Sequence, residues 1–389
     1  MPYDVLVDLT SLDSPSRYSG TGRYVFELGL ALGALSPSER AGLSFGALTA
    51  LEGPEPTGPL GWAGSPELRY AHELAWLPKR RLRLPFTLRR LRPRLFHVPY
   101  QMGTPRGSFV PRVVSCLDLV PLILPQDYLA GRPIYHRLLM AAEALRYHSA
   151  RRVLAISQNT ADDLMRVLHV PAAKIDVALL GVDLERYHPF AGAEAEQARA
   201  ARARHRLREG GYVFYLGRAD PRKNVDVVVK AFAAAQVDGL ELVIIGKMRP
   251  SDERVFAQAM QAAGHPPGVR FLGFVPEEDL PAIIEGALGF VFCSTYEGFG
   301  NVPVEAMACG CPVIHTGATS LRETVGDAGL LVPPRDVAAT AAAIRRLATE
   351  PTLHRDLRAA GLKRAADFSW RNTALGTVAC YERALAGLS

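Results

Sequence analysis

Short apolar runs alternate with helical patterns along the whole chain. In the first half YDVLVDL, RLFHVPY, RVVSCLDLV and RRVLAIS read as strands, and GRYVFELGLALGAL reads as an amphipathic helix. In the second half YVFYLGR, LELVIIG, VRFLGFV, GFVFCST and CPVIHT are nearly continuous apolar runs, separated by helical segments such as VDVVVKAFAAAQV and LPAIIEGAL. Strands apolar on both sides belong to sheets covered on both sides. The alternation therefore predicts an α/β fold built on doubly wound parallel sheets. Near residue 190 the pattern breaks: FAGAEAEQARAARARHRLREGG lacks strand character and reads as a linker with an exposed helix, ending at Gly210-Gly211 before a new strand. Two Rossmann-like domains of similar size follow. WRNTALGTVACYERALAGL closes the chain as one more amphipathic helix.

At 389 residues the chain is too long for one typical core, which agrees with two domains. Its hydrophobic share of 48% and charged share of 22% are those of a soluble globular protein. A net charge of +6 fits acidic partners such as nucleotides, phosphates or anionic lipid, and equally a basic surface kept for solubility. No nucleic-acid partner is expected. Cys116, Cys293, Cys309, Cys311 and Cys380 form no disulfide framework, so a reducing, cytoplasmic setting is expected. Cys309-Gly-Cys311 has no matching Cys or His pair nearby and reads as two buried thiols. MPYDVLVDLT has no basic flank and reads as a first strand, not a signal peptide, and no run is long enough for a spanning helix.

Ligands of open α/β sheets sit beyond the carboxyl ends of the strands, so the informative residues follow strands and open helices. In YSGTGRY, Gly20 and Gly22 are expected just before the first helix, where bare amides approach a phosphate or simply make a turn. YLGRADPRKNVD brings Arg218, Arg222 and Lys223 to a strand–helix junction, where cations suit a diphosphate. YEGFGNVPVEAMACGCPV carries Glu297 and Glu305 around a Gly298-Phe299-Gly300-Asn301 loop, with a helix expected to start at Val302-Pro303. A carboxylate accepts bonds from vicinal hydroxyls, and free amides near Asn301 accept an anion. A nucleotide sugar offers both. Glu305 also suits a helix start for purely dipolar reasons, although that does not account for the glycine loop. In VVSCLDLVP, Asp118 follows a strand, and it either lines the ligand end of the sheet or caps a turn.

SGTGRY, LFHVPY, SCLDLVPL, AISQNTADDL, LGVDLERYHP, LGRADPRKN, FLGFVPEEDL and YEGFGNVPVEAMACGCPVI, in that order, resemble the family 4 retaining glycosyltransferases with the GT-B fold. The glutamate pair with its GFG loop is the most specific of these stretches. The resemblance implies two Rossmann-like domains facing each other across a cleft. Residues 1–190 would bind the acceptor, residues 191–369 the nucleotide sugar, and the helix at about 370–389 would pack back on the first domain. It also implies roles. Arg218 and Lys223 match the cationic pair on the donor diphosphate, Glu297 the glutamate at the donor sugar, and Glu305 the one on the ribose. Phe299, Gly300 and Asn301 match the loop whose backbone meets sugar and phosphate. Gly20 and Gly22 match the opposing glycine turn, and Val275 lies beside the base. One position departs: many members have histidine where this chain has Leu117, which leaves the donor sugar open. His97 fits a different family position, towards the acceptor.

Departure of a nucleoside diphosphate builds negative charge on the β-phosphate, which Arg218, Lys223 and the helix start near Asn301 would stabilise. No Asp-x-Asp pair is present, and neither a metal nor a cofactor is expected. The expected activity is metal-independent, retaining transfer of a hexose-type sugar from a UDP- or GDP-linked donor to a saccharide or lipid-linked acceptor, in cell-surface polysaccharide or glycolipid synthesis. Two other readings stay open: a sugar-nucleotide epimerase on the same scaffold, and a non-catalytic sugar-nucleotide binding subunit. Residues 76–94 carry eight basic residues between Lys79 and Arg94 and no acid. The stretch is either a structural surface helix, interrupted at Pro85, or a peripheral contact with the anionic inner face of the plasma membrane.

Overall fold

The computed structural model describes residues 3–13, 20–48, 77–100, 110–134 and 144–388, with the side chains of 77–83 outside that description. The chain divides into two compact units, Met1–Gly181 with Trp370–Ser389, and Val182–Ser369.

The first unit holds a six-stranded parallel sheet in the order β2-β1-β3-β4-β5-β6. Its strands are β1 Val5–Asp8, β2 Phe45–Leu48, β3 Leu95–Val98, β4 Arg112–Cys116, β5 Arg152–Ala155 and β6 Ile175–Val177. The second unit repeats the plan in the order β12-β11-β10-β7-β8-β9. Its strands are β7 Tyr212–Leu216, β8 Glu241–Ile245, β9 Val269–Gly273, β10 Gly289–Phe292, β11 Val313–His315 and β12 Leu330–Leu331. The central strands are buried along their length, as their unbroken apolar runs require. β2, β6 and β12 have no counterpart in the sequence reading. All three are short edge strands, and such strands carry no long apolar run.

The helices that matter below are α1 Gly20–Ala34, α2 Leu77–Leu91, α3 Gln158–Leu168, α4 Gly192–Arg204, α5 Val225–Ala235, α6 Pro250–Ala262, α7 Leu280–Glu285, α8 Asn301–Ala308, α9 Val337–Thr349, α10 Pro351–Ala365 and α11 Trp370–Leu385. Four of them correct the sequence reading. Gly20 and Gly22 lie within α1 and not ahead of it. α2 runs unbroken through Pro85: a proline removes one amide from the ladder, and here the helix continues past the gap. α8 starts at Asn301, one residue ahead of Val302, and places Glu305 in its second turn. α4 is exposed over most of its length, as expected, but it belongs to the second unit and is anchored there. Its Arg202 is buried, pairs with Glu209 at 2.7 Å and Glu285 at 2.9 Å, and donates to the Ala282 carbonyl on α7. Residues 182–190 also belong to the second unit. The Val182 amide bonds the Phe368 carbonyl, and Arg186 pairs with Glu277 at 3.1 Å.

α11 lies in the first unit. Thr373 donates to the Leu179 carbonyl at 2.7 Å, and Arg383 pairs at 2.7 Å with Asp176, which Arg152 also holds. Among buried polar groups, Tyr381 on α11 meets His97 Nδ1 at 2.7 Å. His97 Nε2 meets Ser115 Oγ at 2.9 Å, and Ser115 meets the Tyr24 hydroxyl of α1 at 2.9 Å. All five cysteines are free and buried. Among the described residues no helix is long and apolar enough to cross a membrane.

Candidate functional site

In the second sheet the strand order reverses between β7 and β10, and such a switch point opens a crevice at the carboxyl ends of the strands. The two loops that leave those strands carry the cations and the first glutamate. They are laced together. Arg222 accepts at its carbonyl from the Thr295 amide at 2.8 Å, and Asn224 Nδ2 donates to the Cys293 carbonyl at 2.8 Å. Arg222 Nη1 donates to the Tyr296 carbonyl at 2.7 Å and pairs with Glu297 Oε1. Ser294 Oγ donates to the same carboxylate oxygen at 2.9 Å. Glu297, only 12% exposed, thus has its position fixed from both loops.

Lys223 is the contrasting cation. Among the described residues its ammonium has no hydrogen-bond or ion-pair partner, and it lies 5.8 Å from the Phe292 ring centroid. Burial lowers its pKa, and the Glu297 charge works against that shift. Gly217, at φ +145°, makes room for it: a Cβ there would come within 2.5 Å of Nζ. A partly buried ammonium with no anion among the described residues suits one from outside the chain. Arg218 is differently placed. Its half-exposed guanidinium bonds both carboxylate oxygens of Asp252 on α6, at 3.1 and 3.3 Å. Burial alone would raise the Asp252 pKa, and the Arg218 bond and the Arg249 amide outweigh it, so the net shift is downward.

The GFG loop contributes backbone. Gly300 has φ +95° as the cap of α8, and a Cβ there would meet Leu321 at 2.9 Å. Phe299 points its ring into the protein, against Phe368 at 5.6 Å between centroids, so only its main chain faces the loop's ligand side. Asn301 opens α8 with its Oδ1 buried and, among the described residues, without a hydrogen-bond partner. Glu305 is buried. Val275 is buried just past β9, beside Phe274, which is 68% exposed.

In the first unit Asp118 follows β4 and accepts the Val120 amide at 3.2 Å, as a turn cap does. Leu117 is buried. The expectation for His97 is corrected. It is fully buried in the relay with Ser115 and Tyr381, and burial lowers its pKa to about 3, so it is a neutral core group with no face towards an acceptor. The sequence reading did not find the partners of Glu297. In the sequence Arg222 is one cation of three in its loop, and Ser294 carries no signal of its own.

Two family models match in succession: Glycosyltransferase Family 4 over residues 18–186, and Glycosyl transferases group 1 over residues 198–364. The chain is 33% identical over 236 residues to O-antigen chain mannosyltransferase B of Escherichia coli, a match that covers 60% of this chain and 61% of that protein. A sucrose-phosphate synthase from Thermosynechococcus elongatus superimposes with a TM-score of 0.75 at 25% identity, covering 98% of this chain and 99% of the other. Anabaena HepE, solved in complex with UDP-glucose, gives a TM-score of 0.70 at 19% identity over 96% and 98% of the two chains, a likeness of fold. With one family model on each unit, two six-stranded parallel sheets, and a structural likeness that spans nearly the whole chain, the chain belongs to the family 4 glycosyltransferases and has their GT-B fold.

Proposed function

We propose that the chain is a retaining hexosyltransferase that uses a nucleotide diphosphate sugar, UDP- or GDP-linked, and a saccharide or lipid-linked acceptor in cell-surface polysaccharide or glycolipid synthesis. The observation that carries this reading is the presence on the two loops of the β7/β10 switch point of an ammonium with no hydrogen-bond or ion-pair partner among the described residues, Lys223, and of a locked carboxylate, Glu297. A donor needs both: a cation for its diphosphate and an acceptor for its sugar hydroxyls. The relatives add support, since one is described as a mannosyltransferase and another structure contains UDP-glucose.

In this reading Lys223, Arg218 and the amides of Gly300 and Asn301 receive the diphosphate, Glu297 the hexose, Glu305 the ribose, and Val275 borders the base. The first unit receives the acceptor; of its residues, Gly20 and Gly22 serve the donor and Asp118 is a catalytic group. The acceptor hydroxyl oxygen bonds to the anomeric carbon on the face the diphosphate leaves. The carbon–oxygen bond to the β-phosphate breaks, its electron pair stays on the phosphate, and the hydroxyl proton passes to that phosphate. The cations stabilise the leaving charge without a metal. The enzyme would work in the cytoplasm at the inner face of the membrane. Support for a peripheral contact comes from α2, where Leu84 and Leu88 turn inward while Arg89, Arg90 and Phe86, 74% exposed, turn outward.

The test is product analysis with GDP-mannose and UDP-sugars and an acceptor panel, with and without EDTA. Transfer with retained anomeric configuration, undiminished by EDTA, is expected. An epimerised donor would establish the epimerase, binding without turnover the non-catalytic subunit, and activity lost to EDTA and restored by Mg²⁺ would remove metal independence. Sedimentation with anionic vesicles tests the membrane contact: protein left in the supernatant at low salt contradicts it.

A further inference from the structure

Thr319, in the loop after β11, has a backbone φ of +51°. A β-branched residue in the left-handed region is an outlier, and such strain persists only where the surroundings hold it. The surroundings here are Glu297. The Thr319 hydroxyl accepts from the Glu297 amide at 2.9 Å and donates to the Glu297 carbonyl at 3.1 Å. Ser320, fully buried, donates to the same carbonyl at 2.9 Å. One step earlier Thr316 Oγ1 donates to the Ser294 carbonyl, and Ser294 in turn donates to the Glu297 carboxylate. The loop after β11 therefore grips both main-chain polar groups of Glu297, while Arg222 and Ser294 grip its side chain.

A glycine would adopt this φ without steric penalty and would supply no hydroxyl. The residue present does the reverse, accepting the strain and making the bonds. We infer that Thr319 is a positioning residue that sets the main chain from which the Glu297 carboxylate reaches the donor sugar. The inference rests on the reading of Glu297 given under the proposed function. Its logic is that of any preorganised site, where a small misplacement of a reacting or binding group is expensive in rate.

The experiment uses the full chain, release of nucleoside diphosphate from GDP-mannose and UDP-glucose, thermal melting, and calorimetry with GDP and UDP. The variants are Thr319→Gly, Thr319→Ser and Glu297→Gln. Thr319→Gly is expected to melt at or above the wild-type temperature because the strain is gone, yet to lose ~10- to ~100-fold in kcat. Its affinity for the free nucleoside diphosphate should be unchanged. Thr319→Ser keeps the hydroxyl and is expected to turn over like wild type. A merely structural residue would give the opposite order, with glycine harmless. Wild-type kcat in Thr319→Gly beside an impaired Glu297→Gln overturns the positioning role alone, as does an equal loss in Thr319→Ser. Wild-type turnover in Glu297→Gln overturns the donor reading and this inference with it.

Discussion

The second unit holds two kinds of charged residue side by side, and their difference decides their use. Arg222 is spent on Glu297 and the Tyr296 carbonyl, and Arg218 on Asp252. Lys223 is partly buried, its ammonium has no hydrogen-bond or ion-pair partner among the described residues, and burial presses its pKa down. In the proposed function such a group gains most when the donor diphosphate arrives. Lys223→Ala should lower turnover by ~10²–10³-fold, the scale of losing one preorganised donor to a developing charge. Melting should change little, because no hydrogen bond or ion pair with another described residue is lost. Steady-state kinetics of the variant at saturating donor checks this, and wild-type turnover would contradict it. At this scale the sequence was legible where local chemistry sufficed. Glu297, Gly300, Asn301 and Lys223 stand in short motifs whose spacing implies loop and helix start. The partners of Glu297 were not legible, because Arg222 and Thr319 lie in loops 75 and 22 residues away and are joined to it only by the fold. His97 misled for the same reason: nothing local tells a buried relay from an acceptor-facing base.

Among elements, the central strands and long helices were readable because apolar runs and helical periods are local properties. Edge strands β2, β6 and β12 were not, being short and partly exposed. Pro85 argued for a break in α2 that the helix does not make, since losing one amide is tolerable when flanking leucines such as Leu84 and Leu88 are buried. α11 is fixed to the first sheet by a polar seam, and that seam has a pH dependence. His97 has an ordinary pKa of 6.5, depressed by burial to about 3. The unfolded chain therefore binds a proton that the folded chain refuses between these values. Stability is unaffected above about pH 6.5 and falls as the pH drops towards 3, by at most about 1.4 kcal/mol per pH unit from this residue. Melting temperatures of wild type and His97→Gln from pH 7 to 4.5 test this. The wild type should lose stability more steeply, and parallel curves would contradict the account.

For the whole molecule, each unit is a parallel sheet with its own switch point, β1 with β3 in the first and β7 with β10 in the second. The first of these joins Asp8 to the Tyr100 hydroxyl at 2.9 Å, and the second joins Glu297 to Arg222. Division into two α/β domains was legible from the alternation of strands and helices. The identity of residues 190–204 was not, because an Ala/Arg-rich segment looks like linker until Arg202 is seen to bury itself between Glu209 and Glu285. The central claim is that the second unit is a nucleotide-sugar site whose two glutamates divide the ligand between them. Calorimetric titration of wild type, Glu297→Gln and Glu305→Gln with GDP-mannose, GDP, UDP-glucose and UDP tests it most directly. Wild type should bind one sugar-linked nucleotide and its free diphosphate. Glu305→Gln should weaken both, and Glu297→Gln should weaken the sugar-linked form alone. No binding of any of the four by wild type, or two variants that bind as wild type does, would contradict it.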